Sequence, residues 1–373
     1  MIVLLYQALA ISTFTLLWCF IKLLRAERLR WRPVAALEGD WPTVSVCIPA
    51  RNETHAMTRC LEQVLASDYP KLEILVLDDD SSDDTSQLIR AFAHAGVRFL
   101  PGNPLPERWL GRNYALQSLL DEASGQYVLF VDVDTRLAPT TIRQLVADAA
   151  QRQLTMLSVI PQRRDLWRAS AWFGSLRYFW DIVLHRPGRA PSAASALWLV
   201  RRRALMQLGG LSAWRDEVQP ERAVARELAV TGEYALVIAT PQLGVSYEKK
   251  WRSQIEASRR QLLPRFGNAT PNALLGMGLL SAVLLPQIVL VQALVSGWIP
   301  LYWWPAGIGL AAMLLCTLYA RLVWTRRWWL AWLVAPYLAW QELIVLILSV
   351  IGYHRGSIVW KGRPVARPPV WGD

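Results

Sequence analysis

The run Tyr127-Val128-Leu129-Phe130-Val131 stops on Asp132-Val133-Asp134. A strand that closes on two carboxylates delivers negative charge to the carboxyl edge of a sheet, where open α/β sheets bind their ligands. Side chains at i and i+2 of a strand point the same way. Asp132 and Asp134 are therefore expected to face one hard cation and the diphosphate it holds. Alone, an Asp-x-Asp after a strand is a weak signal, because a solvated turn offers the same residues.

Two upstream strand ends strengthen it. Thr43 to Pro49 is an apolar strand closing on Pro49-Ala50-Arg51-Asn52-Glu53, and Leu72 to Leu77 runs into the acidic stretch Asp78 to Thr85. Helical spacing of Met57, Leu61, Val64 and Leu65 predicts a helix over 54–66, with Thr54 as its cap. Further helices are expected over 85–95 and 110–123, with a short strand over 97–100. Strands alternating with helices of this length imply a parallel sheet wound in Rossmann fashion. A Gly-x-Gly-x-x-Gly loop is absent, which removes the usual phosphate cradle of dinucleotide binding. The strand ends instead offer Glu53, Asp79, Asp132 and Asp134. The acidic stretch 78–84 taken alone reads equally well as a solvated turn; with the other two ends, one ligand-binding crevice is the better reading.

The three strand ends, in this order and spacing, resemble the serial signatures of glycosyltransferase family 2, whose fold is the GT-A nucleotide-diphospho-sugar transferase fold with a Rossmann-like mixed sheet. Ala196 to Arg202 and Gly209-Gly210 look like that family's acceptor side. Trp109-Leu110-Gly111-Arg112 and Ile358-Val359-Trp360-Lys361-Gly362-Arg363 are similar to the membrane-bound branch that glycosylates carotenoids, hopanoids and ceramide.

The resemblance implies roles. Pro49, Ala50 and Glu53 would line the base and ribose of a nucleotide-sugar donor, and Asp79 would accept from a uracil ring. Asp132 and Asp134 would hold ribose and Mg²⁺ or Mn²⁺ on the diphosphate. Arg112 would add a cation suited to phosphate oxygens; a surface arginine in a helix's first turn is its structural alternative. Family members supply a base from a Glu-Asp pair opening a helix. Here Pro220-Glu221 stands in its place, making Glu221 the candidate base, with Asp216 and Glu217 as fallbacks. The Gln-x-x-Arg-Trp motif is not intact at 259–266. Trp251, Arg252, Gln254, Arg259 and Arg260 would take over part of its work, against the plainer reading of a basic amphipathic helix on lipid headgroups. His55, His94, His185 and His354 show no ligand spacing and receive no role.

The implied reaction is an inverting transfer of sugar from a nucleotide diphosphate sugar, UDP-linked, to a hydroxyl of a lipid acceptor. A polyprenyl phosphate acceptor, or a non-catalytic nucleotide-binding membrane partner, are the alternatives.

Hydropathy adds the membrane. Residues 2–24 are long enough to cross a bilayer at about 1.5 Å per residue, and Ala273 to Val295, Pro300 to Val323 and Trp328 to Gly352 are also apolar. The expected organisation is an uncleaved anchor (1–24), a cytosolic domain (25–272), a membrane part (273–353) and a basic tail (354–373). A net charge of +11 raises nucleic acid as a partner. The basic residues, however, cluster at 22–32, 249–265, 321–327 and 355–367, beside the apolar segments, which favours a lipid bilayer and argues against nucleic acid. Twenty Trp, several at segment ends (Trp298, Trp303, Trp304, Trp328, Trp329), fit its interface. Cys19, Cys47, Cys60 and Cys316 lack pairing or metal spacing, which suits a reduced compartment. The location expected is a bacterial inner membrane with the catalytic domain in the cytoplasm. A third full crossing would carry the basic tail outside, so Pro336 and Gln341-Glu342 are read as signs of a re-entrant or interfacial segment.

Overall fold

The structure, a computed structural model, describes residues 2–165, 168, 172–174, 176–267, 270–296 and 303–365. Trp298, Pro300 and Arg367 lie outside them.

Alternating burial builds the central sheet. Val44, Val46 and Ile48 of β1 (Val44–Ala50) face one layer, with Met57, Leu61 and Val64 of helix Thr54–Leu65. Cys47 faces the other layer, with Leu116, Leu119 and Leu120 of helix Gly111–Glu122. Strands β2 (Leu72–Asp78), β3 (Val97–Pro101) and β4 (Tyr127–Val131) pair parallel with this core, as the alternation predicts. The sheet continues through β6 (Met156–Ile160), β8 (Leu197–Arg201) and β9 (Tyr234–Ile238) in the order β3-β2-β1-β4-β8-β6-β9.

The sheet turns mixed at β8, which runs antiparallel to both β4 and β6. Its reversal brings Trp198 opposite Phe130, with ring centroids 4.2 Å apart and both side chains buried. An aromatic pair of this kind adds about 0.5–1.5 kcal/mol beyond its buried area. The result is the mixed sheet of the GT-A fold. Two small sheets flank it: β5 (Thr135–Arg136), β10 (Ser246–Tyr247) and β7 (Gln162–Arg163) form one. A hairpin of β11 (Val359–Trp360) and β12 (Arg363–Pro364) forms the other.

Among the described residues, four helices are long and apolar enough to cross a membrane, within Tyr6–Leu29, Thr270–Gln292, Trp303–Val323 and Trp328–His354. Phe14, Leu17, Val291, Trp303 and Leu314 stand exposed on them, as lipid-facing positions would. Their inner faces join the domain through Tyr178, Phe179 and Trp180, and the chain leaving the first helix bonds to the sheet edge at Trp31 N to Ile238 O, 2.9 Å.

Helix Ala331–His354 continues past Pro336 without a break. Its polar pair is explained by contacts with the domain: Trp251 Nε1 donates to Gln341 at 3.0 Å, and Trp180 Nε1 to Glu342 at 2.9 Å. Leu263 N donates to Ser349 Oγ at 3.1 Å and Tyr353 Oη to Arg260 O at 2.6 Å, so this helix lies along helix Trp251–Arg265. One side of that second helix is buried in protein, beyond what a helix merely resting on lipid would need. Gln254, Ser258, Gln261 and Arg265 are buried, and Arg265 pairs with buried Asp181 at 3.0 Å.

Candidate active site

The first strand end turns sharply. Asn52 and Asp80 both adopt positive φ, 51° and 58°, sparsely populated for residues with a side chain. The two turns are laced together: Asp79 N donates to Ala50 O at 2.7 Å, Asn52 N to Ser81 Oγ at 2.9 Å and Ser82 N to Asn52 Oδ1 at 2.8 Å. Pro49 and Ala50 pair in register with Leu77 and Asp78 at the ends of β1 and β2.

The acidic stretch divides its labour. Asp78 accepts from Ser81 and Ser86, and Asp83 accepts from Thr54 N at 3.3 Å and Thr85 N at 3.1 Å. Both are structural. Asp79 is buried, and Arg363 Nη1 meets its two carboxylate oxygens at 2.7 and 2.8 Å. Burial raises its pKa above the ordinary value, against the pull of Arg363 and Arg51. Glu53 is held by Lys361 Nζ; burial raises its pKa as well, opposed by Lys361 and reinforced by Asp134.

At the third strand end the expectation needs correction. The strand stops at Val131, and Thr135 N donates to Asp132 O at 2.8 Å, so Asp132 to Asp134 is a turn and strand alternation does not apply. The two carboxylates take different partners. Asp132 Oδ1 lies 3.4 Å from Arg112 Nη2, whereas Asp134 Oδ2 lies 2.8 Å from Lys249 Nζ. Burial alone would lift the Asp134 pKa, but Lys249 overrides it and holds it below the ordinary value. Burial lowers the pKa of Lys249 in turn, against the attraction of Asp134.

Arg112 is no surface arginine. Its guanidinium donates to Glu221 at 3.2 Å and to Ser195 O at 3.2 Å besides facing Asp132. Glu221 opens helix Pro220–Val230 behind Pro220, where the N-terminal dipole favours a carboxylate. Its side chain is 1% exposed, and burial raises its pKa, countered by Arg112. The fallback acids Asp216 and Glu217 are exposed. Asn113 fixes their loop by donating to the carbonyls of Trp214, Arg215 and Glu217 at 2.7–3.2 Å.

Carboxylate or imidazole atoms of Glu53, His55 and Asp134 all lie within 4.8 Å of one another. The two carboxylates suit Mg²⁺ or Mn²⁺, and the added imidazole favours Mn²⁺ of the two. Asp134 but not Asp132 joins this group, and His55, to which the sequence reading gave no chemistry, does. A cavity of about 560 Å³ opens beside it, lined by Glu53, His55, Asp134, Lys249, Arg260 and Trp360. Of the residues proposed to replace the lost motif, Arg260 lines this cavity. Trp251 bonds the last apolar helix, and Gln254 is spent on Arg163 at 2.8 Å and Lys249 O at 2.8 Å. Lys249, Lys361 and Arg363 had no recognisable local signal beyond the tail's resemblance.

Residues 45–209 match the family described as Glycosyl transferase family 2. An uncharacterized protein of Mycobacterium tuberculosis is 36% identical over 112 residues, 30% of this chain and 34% of that protein. The undecaprenyl-phosphate 4-deoxy-4-formamido-L-arabinose transferase of Sodalis glossinidius is 32% identical over 143 residues, 36% of this chain and 42% of the relative. The matched region thus spans well under half the length of these relatives. Among solved structures, a mannosyltransferase from Pyrobaculum calidifontis in complex with GDP-mannose and Mn²⁺ superposes with a TM-score of 0.60 at 20% identity. That match covers 92% of this chain and 97% of that one, and shows a shared fold. Strand ends, topology and family match agree: residues 45–209 are similar to glycosyltransferase family 2, and the chain has the GT-A fold.

Proposed function

We propose that this chain moves one sugar from a nucleotide diphosphate sugar, UDP-linked, to a hydroxyl on a lipid at a membrane surface. The observation that carries the reading is the placement of Glu53, Asp79, Asp132 and Asp134 at three strand ends, with Glu53 and Asp134 lining one cavity and Arg112 pairing Asp132 with Glu221. Pro49, Ala50, Glu53 and Asp79 would receive the nucleoside, and Asp132 and Arg112 the ribose and diphosphate side. Glu53, His55 and Asp134 would hold Mg²⁺ or Mn²⁺, which when bound supplies positive charge for the leaving diphosphate.

The acceptor oxygen attacks the anomeric carbon while the carbon–oxygen bond to the diphosphate breaks. The bonding electron pair leaves with the diphosphate, and the acceptor proton passes to the Glu221 carboxylate. A single displacement inverts the anomeric centre. Burial lifts the Glu221 pKa toward the range in which a carboxylate accepts protons usefully.

The near-complete burial of Glu221 against Arg112 favours a second reading, in which the acceptor is a polyprenyl phosphate and needs no base. The name of the Sodalis relative points to the same chemistry. Glu221→Gln separates the two when transfer is followed with labelled nucleotide sugars and lipid extraction. Lost transfer supports the hydroxyl acceptor, and unchanged transfer supports the phosphate. Absence of turnover by the unaltered chain with any donor of the panel leaves a non-catalytic nucleotide-binding partner.

Contact between tail and crevice supports a common side, the cytoplasm, for both. Three apolar helices separate them in sequence, and an odd number of full crossings would part them. Helix Ala331–His354, packed along Trp251–Arg265, is then the one that lies in the interface instead of crossing.

A further inference from the structure

Four carboxylates stand at the strand ends, of which Glu53 and Asp134 line the cavity. Asp132 and Asp134 are paired by Arg112 and Lys249, which belong to the domain. Glu53 and Asp79 are paired by Lys361 and Arg363, which belong to the C-terminal hairpin. That hairpin is built for the purpose. Trp360 pairs with Arg363 across a two-residue loop, Lys361-Gly362, with φ of 46° and 83°. Positive φ at both central residues is the type I′ geometry that matches strand twist. Glycine takes it freely, but lysine does so only where its surroundings hold it. The surroundings do: Lys361 Nζ bonds Glu53 and Arg51 O, and Arg51 Nε donates back to Lys361 O at 3.2 Å.

On the domain side, Gly111 leaves the required space. A Cβ there would stand 2.8 Å from Arg363 Nη1 and 3.2 Å from Asp79 Oδ2. Trp360 lines the crevice cavity and the adjoining one that Arg112 lines, with the Arg260 guanidinium 5.3 Å from its ring centre.

We propose that the hairpin is part of the donor site, with Lys361 and Arg363 positioning Glu53 and Asp79 and Trp360 walling the crevice beside them. This rests on the nucleotide-sugar reading above. A carboxylate that must accept from a nucleobase N–H has to be ionised and fixed in direction. A two-oxygen clamp on Asp79 and an ammonium on Glu53 do both. The groups facing Asp79 are Arg363, Arg51 and Asp80, so loss of Arg363 leaves one cation against one carboxylate. Those facing Glu53 are Lys361, Asp134 and Lys249.

The test is calorimetric titration of the detergent-solubilised full chain with UDP and with GDP, each with Mn²⁺. In Arg363→Ala and Lys361→Ala the Kd of the nucleotide that binds should rise about tenfold or more, the scale of a lost charge-assisted hydrogen bond. Arg363→Lys should recover part of the loss. The pH below which binding fails should lie higher in Arg363→Ala than in the unaltered chain, a shift that mere loosening of the tail would not give. Unchanged or tighter binding in the alanine variants overturns the proposal, because the hairpin would then be idle or a plug. Hydrogen exchange of amides 358–365 in the unaltered chain gives a check free of folding defects. Exchange should slow when UDP and Mn²⁺ bind, and faster exchange overturns the proposal. Failure of the unaltered chain to bind either nucleotide removes the nucleotide-sugar reading itself and this inference with it.

Discussion

The guanidinium of Arg112 lies 3.2 Å from the carboxylate of Glu221, and the two side chains are 16% and 1% exposed. A charge this deep is tolerated because it is paired. Removing one partner of such a pair strands the other and destabilises by about 3–5 kcal/mol. Arg112→Ala should therefore unfold at markedly lower denaturant than Glu221→Gln, which leaves a neutral, hydrogen-bonding amide beside the arginine. Combining the two should recover stability relative to Arg112→Ala alone. Chemical denaturation of the three variants in detergent checks this, and a fully additive double variant contradicts it.

Acid sensitivity has a defined source at the second strand end. Burial opposes ionisation of Asp83, but the hydrogen bonds from Thr54 and Thr85 together prevail and lower its pKa to about 2 from 3.8. A depressed folded-state pKa adds stability above the unfolded value and loses it as pH falls through the folded one. The unaltered chain should exceed Asp83→Asn in stability above about pH 4, the ordinary carboxylate value. The difference should vanish between there and about pH 2. Melting curves over that pH window decide it; a gap that persists at the acid end would contradict it.

Cation binding should depend on His55 and Asp134. Removing a direct ligand should weaken Mn²⁺ binding at least as much as losing an outer-shell partner does, about 10–100-fold. His55→Ala and Asp134→Asn should show that loss in Mn²⁺ titrations followed by electron paramagnetic resonance. His94→Ala, whose ring nitrogen instead faces Ala91 O at 2.8 Å, should not. Equal affinities in all three would remove the candidate site.

Gly111→Ala probes the close approach of tail to strand end with one methyl group. The atom it meets first is the tip of a flexible arginine, so the fold should be nearly unaffected. Arg363 should be pushed from Asp79, and nucleotide affinity should fall. A melting temperature and a UDP titration on the same sample distinguish this from general damage.

Much of the site was legible in the sequence because strands buried on both faces announce themselves as apolar runs, and their ends are then countable. Val44–Ala50, Leu72–Asp78 and Tyr127–Val131 fall where those runs lie. Reversal of β8 was not legible, since an apolar run has no direction. The departure of Asp132 from Asp134 was hidden for a related reason: alternation holds only while the strand lasts, and both carboxylates lie beyond its end at Val131. The cations were hidden by distance along the chain. Lys361 meets Glu53 across 308 residues and Arg363 meets Asp79 across 284, and no local spacing encodes such pairs. His55 received no role because its second acidic neighbour, Asp134, comes from another strand end 79 residues away.

The clasp between Lys361 and the first strand end also bears on how the molecule is made. Glu53 and Asp79 leave the ribosome early, whereas their counter-charges follow every apolar helix. A nascent chain can fold its sheet long before it can neutralise those two acids. The crevice is completed only after the last apolar helix has been made and docked on the domain, so final assembly of the pocket waits for the apolar part of the chain.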